Sequence, residues 1–138
     1  MKRTLASRLA LAGPKNGALV LLDLTSRRTV EGALDADALL VFPSPTIDEL
    51  AAGNPSPDHG RITLAFDCKA RTIQLTHMVF LALDDSVMKD DSPKTEPFTA
   101  VDPTDARMLG LACGEVFPEA AKTYSSDAAA IEAARAPH

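Results

Sequence analysis

Two cysteines carry the most reactive side chains of this 138-residue chain, and they are its only two. Cys68 stands in Phe66-Asp67-Cys68-Lys69-Ala70-Arg71, and Cys113 in Leu111-Ala112-Cys113-Gly114. Such a pair can supply a nucleophilic thiol, form a disulfide, or remain as two free buried thiols. A nucleophile needs a base within reach. His77 lies six residues beyond the hairpin partner of Cys68. That is about 20 Å along a strand rising about 3.4 Å per residue. His59 sits in Asn54-Pro55-Ser56-Pro57-Asp58-His59-Gly60, which reads as a loop and points to no partner. His77 reads as a strand residue with a hydrogen-bond partner rather than as a ligand. No catalytic residue is assigned. If the cysteines pair, they tie a helix to a sheet and place the protein in an oxidising compartment.

The remaining polar clusters suggest little chemistry. Asp84, Asp85, Asp90 and Asp91 lack the alternating spacing of a calcium loop and read as a solvated loop guarding a sheet edge. No metal ligand is assigned and no cofactor is expected. Gly-x-Ser-x-Gly, His-Glu-x-x-His and phosphate-binding glycine motifs are absent from the sequence. Arg27 and Arg28 are the candidate contacts for an anionic partner, set against the plainer reading of a solvated turn. With no Trp, one Tyr and five Phe, the chain is poor in the surfaces that stack sugars or bases. A net charge of -5 argues against general nucleic-acid binding. Residues 1–28 hold six Lys/Arg and one acid, whereas the rest holds eight and eighteen, so basic N-terminal strands are expected beside acidic loops.

The elements that must position the cysteines are clearest in mid-chain. Ile62, Leu64, Phe66 and Cys68 alternate along one strand face, as do Ile73, Leu75 and Val79 with His77 among them. A turn at Lys69-Ala70 pairs 66 with 73, 64 with 75 and 62 with 77, with a four-residue loop as the alternative. Ile62, Leu64, Phe66, Ile73 and Leu75 are expected to share one core facing a helix over 103–113. Asp102 N-caps that helix, Pro103 suits its first position, Asp105 complements its dipole and Gly114 closes it. Upstream, strands are expected over 4–12 and 38–42. A strand covered on both faces is expected over 18–24, where the chain is almost continuously apolar. Gly13-Pro14-Lys15-Asn16-Gly17 and Ser26-Arg27-Arg28 read as connections. Thr46-Ile47-Asp48-Glu49 has a capping-box pattern for a short helix, and 84–98 reads as a loop.

A hydrophobic fraction of 46% is enough for a core without metals, and the length suits one domain. The boundaries expected are a single α+β domain over 1–117 and a weakly ordered or helical tail over 118–138. Ile131 is the only large apolar side chain in the helix-prone stretch 128–136, so truncation after Phe117 should barely change the melting temperature. The longest apolar stretch, residues 18–22, stops at Asp23, too short to span a membrane. Met1-Lys2-Arg3 mimics the start of a signal peptide, but Arg8 interrupts the apolar region that should follow. Either a leader has been removed or the protein is cytosolic.

Four features together resemble the surface-adhesin protein E family of bacterial envelope proteins. They are Leu21-Leu22-Asp23 ending an aliphatic strand, Phe66-Asp67-Cys68-x-x-Arg71, an acidic Pro-containing loop before Val101-Asp102-Pro103, and Cys113-Gly114 ending a helix. The resemblance covers roughly residues 17–114. It implies an α+β fold: a small antiparallel β-sheet with a C-terminal helix packed on one face and linked to it by a Cys68–Cys113 disulfide. It also implies export to the periplasm, cell surface or secreted space, with cytoplasmic location as the alternative. The function expected is a non-catalytic, adhesin-like binding module for an unknown protein or small-molecule ligand. The runner-up is a small-ligand-binding domain or enzyme with its site in the concavity of the sheet. A fold alone does not choose between them.

Overall fold

A computed structural model describes residues 8–15, 17–30, 33–42, 57–82, 84, 86–119 and 122–135. The strands are β1 (Leu9–Lys15), β2 (Ala18–Val30), β3 (Ala33–Val41), β4 (His59–Asp67), β5 (Thr72–Leu81), β6 (Val87–Asp91), β7 (Phe98–Thr99) and β8 (Thr123–Tyr124). The helices are α1 (Pro103–Ala112) and α2 (Asp127–Arg135). The fold is α+β and the sheet is antiparallel, but it is not small. It has eight strands in the order β6-β5-β4-β3-β2-β1-β8, with β7 also on β5. Each of the first five hairpin neighbours follows its predecessor directly, so the sheet is a meander closed at one edge by β8.

The apolar run in β2 explains the layering. Val20, Leu22 and Leu24 face one core, with Ala36 and Ala38 of β3, Leu64 and Phe66 of β4, Ile73 of β5, and Met108, Leu109 and Leu111 of α1. Leu21 faces the opposite core with Leu9, Leu39, Val41 and Ala130 of α2, flanked by Leu19, Tyr124 and Ile131. The strand is covered on both faces, and alternate side chains feed two helices.

The segment after Pro118 is therefore more than a tail. β8 pairs Tyr124 with Leu9, and α2 seats Ala130, only 1% exposed, on the second core. An alanine-rich face lets the helix backbone approach the sheet closely, so few large side chains are needed to exclude water. The expectation that this segment buries little does not hold.

The β4–β5 hairpin keeps the expected register at its turn, pairing Phe66 with Ile73 and Leu64 with Leu75. The loop is the four-residue alternative, because Asp67 pairs with Thr72. Beyond Leu64 the register departs: Thr63 pairs with His77 and Ile62 with Met78. Thr76 is an extra residue in β5, and its hydroxyl donates to the Thr63 carbonyl at 3.2 Å. This bulge reverses the parity of the strand. Met78 and Phe80, rather than His77 and Val79, join the α1 face.

Helix α1 has the expected ends. The Asp102 carboxylate accepts the Asp105 N–H at 2.8 Å, Pro103 begins the helix, and Gly114 ends it in the left-handed conformation at φ 75°. Its docking to the sheet is largely polar at the β1 side. Thr104 Oγ1 donates to the Pro14 carbonyl (2.7 Å) and Arg107 Nε to that of Leu11 (3.0 Å). Pro14 stays within β1 because β8 covers only Leu9 and Ala10, leaving an edge where no N–H is needed. The acidic loop also contains a strand, β6, exposed along its whole length. The capping-box pattern at Thr46 lies outside the described residues.

Candidate functional site: an apolar cavity between the sheet and the first helix

The cysteines are joined. Cys68 and Cys113 form a disulfide with Cα atoms 5.9 Å apart, so neither is a thiol nucleophile in this state. The neighbouring motif residues Phe66, Asp67 and Arg71 have structural contacts of their own. Phe66 is core. Asp67 Oδ1 accepts the N–H groups of Lys69 (3.1 Å) and Ala70 (2.8 Å), shaping the turn. Arg71 adopts φ 62°, accepts the Ala100 N–H through its carbonyl, and pairs its guanidinium with Glu115 just after α1.

Arg27 and Arg28, the candidate anion contacts, have partners within the chain. Arg27 donates to the Leu24 carbonyl at 3.0 Å and to the Leu111 carbonyl at 3.4 Å. It thus brings a cation to the last turn of α1, which has no basic residue of its own. Arg28 donates to the Ser26 carbonyl and lies 3.8 Å from Asp37.

The two histidines among the described residues occupy structural places. His77 bonds Asp90 of β6 at 2.6 Å. His59 is not in a loop: it opens β4, is 3% exposed, and bonds Asp58 at 2.9 Å. Among the described residues no three potential metal ligands cluster. Asp84 instead accepts both the N–H and the hydroxyl of Ser86. Asp85 lies outside the described residues.

On the α2 face, two ionic clusters hold the helix at its ends. Arg61 donates to Asp23 at 3.1 Å and makes a two-point pair with Asp127 at the start of α2. Arg135, at its end, donates to Asp58 (2.7 Å) and to the carbonyls of Phe42 and Asp58. Asp23 also organises the bulge in β2, accepting from Thr25 N–H (3.1 Å), Thr25 hydroxyl (2.6 Å) and Arg8 N–H (3.3 Å).

Burial opposes ionisation of both Asp23 and Asp58. Hydrogen bonds from Thr25 and Arg61, and from His59 and Arg135, outweigh it and hold both carboxyls below the ordinary value. A depressed carboxyl contributes stability above its unfolded pKa and loses it as pH falls through its folded value. The melting temperature should therefore be flat through neutrality and fall below about pH 4. The amides of α2 should exchange with solvent before those of β3. A melting temperature that rises on acidification would contradict this assignment.

The place where sheet and α1 do not meet fully is a cavity of about 300 Å³. Val20 and Leu40 supply its floor from β2 and β3, and Ile62 and Leu64 continue it on β4. Leu75, Met78 and Phe80 come from β5, the last two by way of the bulge. Phe80 lies against bare backbone: a Cβ on Gly60 would meet its ring at 2.7 Å. Phe42 stacks edge-on against it, ring centroids 5.7 Å apart. Met108 lines the cavity from α1 and Phe98 from β7.

Lys15 and Asp105 are the only ionisable residues in this lining among the described residues. Lys15 pairs with Asp105, lies 3.3 Å from Asp102, and stands 5.1 Å over the Phe98 ring. Burial pushes the Asp105 carboxyl above its ordinary value; Lys15 pulls it down, but burial, aided by the neighbouring Asp102, prevails. Burial would lower Lys15, but both acids hold it above its ordinary value.

Sequence reasoning missed this site because no motif marks it. The signals that could have pointed to it were Gly60 inside a strand and the surplus residue between Leu75 and Met78. Neither a protein-family model, nor a curated protein, nor a solved structure matches this chain.

Proposed function

We propose that this protein is a non-catalytic binding domain of the envelope or secreted space that holds a small apolar ligand between α1 and the sheet. The cavity carries the reading. Its volume is at the lower end of small-molecule sites, and its walls combine many apolar groups with one convergent polar pair. A binding role is supported by the engagement of the cysteines in a disulfide and of His59 and His77 with neighbouring aspartates. Export is supported by the disulfide, which persists in oxidising compartments, and by the resemblance to the surface-adhesin protein E family. No helix among the described residues is long and apolar enough to cross a membrane.

The test uses the neutral fluorescent probe N-phenyl-1-naphthylamine. It should bind with one-to-one stoichiometry and a blue-shifted emission. Ala18→Phe, which fills the cavity from β2, should abolish the signal while leaving the circular dichroism spectrum intact. Equal binding by the wild type and the filled variant would sink the proposal.

An adhesin-like contact with a protein is the second reading. It rests on Val87 and Met88, 61% and 39% exposed along the open β6 edge. Val87→Lys would remove such a contact without changing probe binding.

A further inference from the structure

The geometry points to an apolar ligand bearing a single ammonium group, bound with that group at Asp105. This rests on the reading of the cavity as a binding site and goes further, to the chemistry of the ligand. Asp105 is 3% exposed and stands in the cavity wall. One of its oxygens, Oδ2, is taken by Lys15. The other, Oδ1, is buried and has no hydrogen-bond partner among the described residues. A buried acceptor without a donor is costly, and few survive in native proteins without a reason.

Charge selects the missing donor. Lys15 is one cation between two carboxylates, Asp102 and Asp105. Counting Asp102, which is half-exposed and stands beside the cavity rather than in its lining, this end holds two carboxylates to one ammonium. An ammonium would supply donors to Oδ1 and cancel that excess, while Lys15 kept Asp102 as its partner. A hydroxyl could satisfy the oxygen but not the charge. A carboxylate would meet two acids and supply no donor. The aromatic ring of Phe98, already beneath the Lys15 ammonium, extends a surface that favours cations. The apolar body of the ligand would lie over Met108, one helical turn from Asp105, and over Ile62 and Leu75.

Calorimetry with octylammonium, 1-octanol and octanoate tests the assignment, because the three share a chain and differ in the head group. Octylammonium should bind wild-type protein tightest and octanoate weakest. Asp105→Asn should weaken octylammonium about tenfold or more, the scale of one lost charge-assisted hydrogen bond. The same variant should weaken 1-octanol much less than octylammonium, because a neutral hydroxyl loses no charge pairing and can still hydrogen-bond the Asn side chain. The rank order in the wild type stands as a test even if the variant does not fold. Octanol or octanoate binding as tightly as octylammonium, with Ala18→Phe still abolishing it, would overturn the ammonium assignment and leave the cavity reading intact. Binding of none of the three would overturn both.

Discussion

Truncation after Phe117 should lower the melting temperature by about 10 °C or more. The reason is the second core. Leu9, Leu21 and Leu39 are each at most 1% exposed, and Val41 is 4% exposed. α2 and β8 supply the cover, with Ala130, Ile131 and Tyr124 packed against them. Re-exposing even part of that surface costs about 3 kcal/mol, since each large aliphatic side chain contributes about 1.5–3 kcal/mol when fully buried. For a domain of this size that corresponds to about 10 °C. Losing α2 also leaves Arg61 without Asp127 and Asp58 without Arg135. Calorimetry of the truncated and full chains measures the difference. An unchanged melting temperature would show that the helix is not docked in solution.

Reducing the disulfide should cost about 4 kcal/mol in the loop-entropy treatment of a closure of this length. That is a large share of the roughly 5–15 kcal/mol that holds a typical domain together. The loss should fall first on α1. Its final turn is held by Cys113, by Arg27 on the Leu111 carbonyl and by Arg71 on Glu115. The Arg27 bond is long at 3.4 Å, and the Arg71–Glu115 pair is exposed and worth little alone. Amides at the end of α1 should exchange earlier than those of β3 after reduction or in Cys113→Ser. Ligand affinity should fall with them, because α1 carries Met108 and Asp105 into the cavity wall. Two freely alkylated thiols in the unreduced, denatured protein would refute the bridge.

Much of the architecture was legible because local chemistry and packing agree. Ile62, Leu64 and Phe66 alternate, and their parity places them under α1. Asp102-Pro103 and Gly114 bound α1 at the ends the sequence implies. The apolar residues of β2 imply cover on both faces, and both faces are covered. What could not be read depends on relations between distant segments. The bulge at Thr76 has no glycine or proline to announce it, yet it decides whether Met78 or Val79 faces the core. Residues 26–28 looked like a connection because Ser and Arg are polar. They remain in β2, in a bulge pinned by Asp23 and by Ser26, whose Oγ accepts the Asp37 N–H at 2.7 Å. Strand β6 is acidic and exposed, so its sequence resembles a loop. Helix α2 carries little hydrophobic signal because its contact with the sheet is made by Ala130 and Ala134 with Ile131 alone as a large side chain. The cavity was invisible for the same reason as the bulge: it lies where β5 reverses parity and brings Met78 and Phe80 into the lining.

Methyl NMR during titration with N-phenyl-1-naphthylamine tests the cavity assignment most directly, because the protein carries its own internal control. The methyls of Val20, Ile62, Leu64, Leu75 and Met108 line the cavity, whereas those of Leu9, Leu21 and Leu39 belong to the core under α2. The account predicts saturable shifts confined to the first group, with the second group unmoved. Shifts centred on the second group, or spread evenly over both, would contradict it.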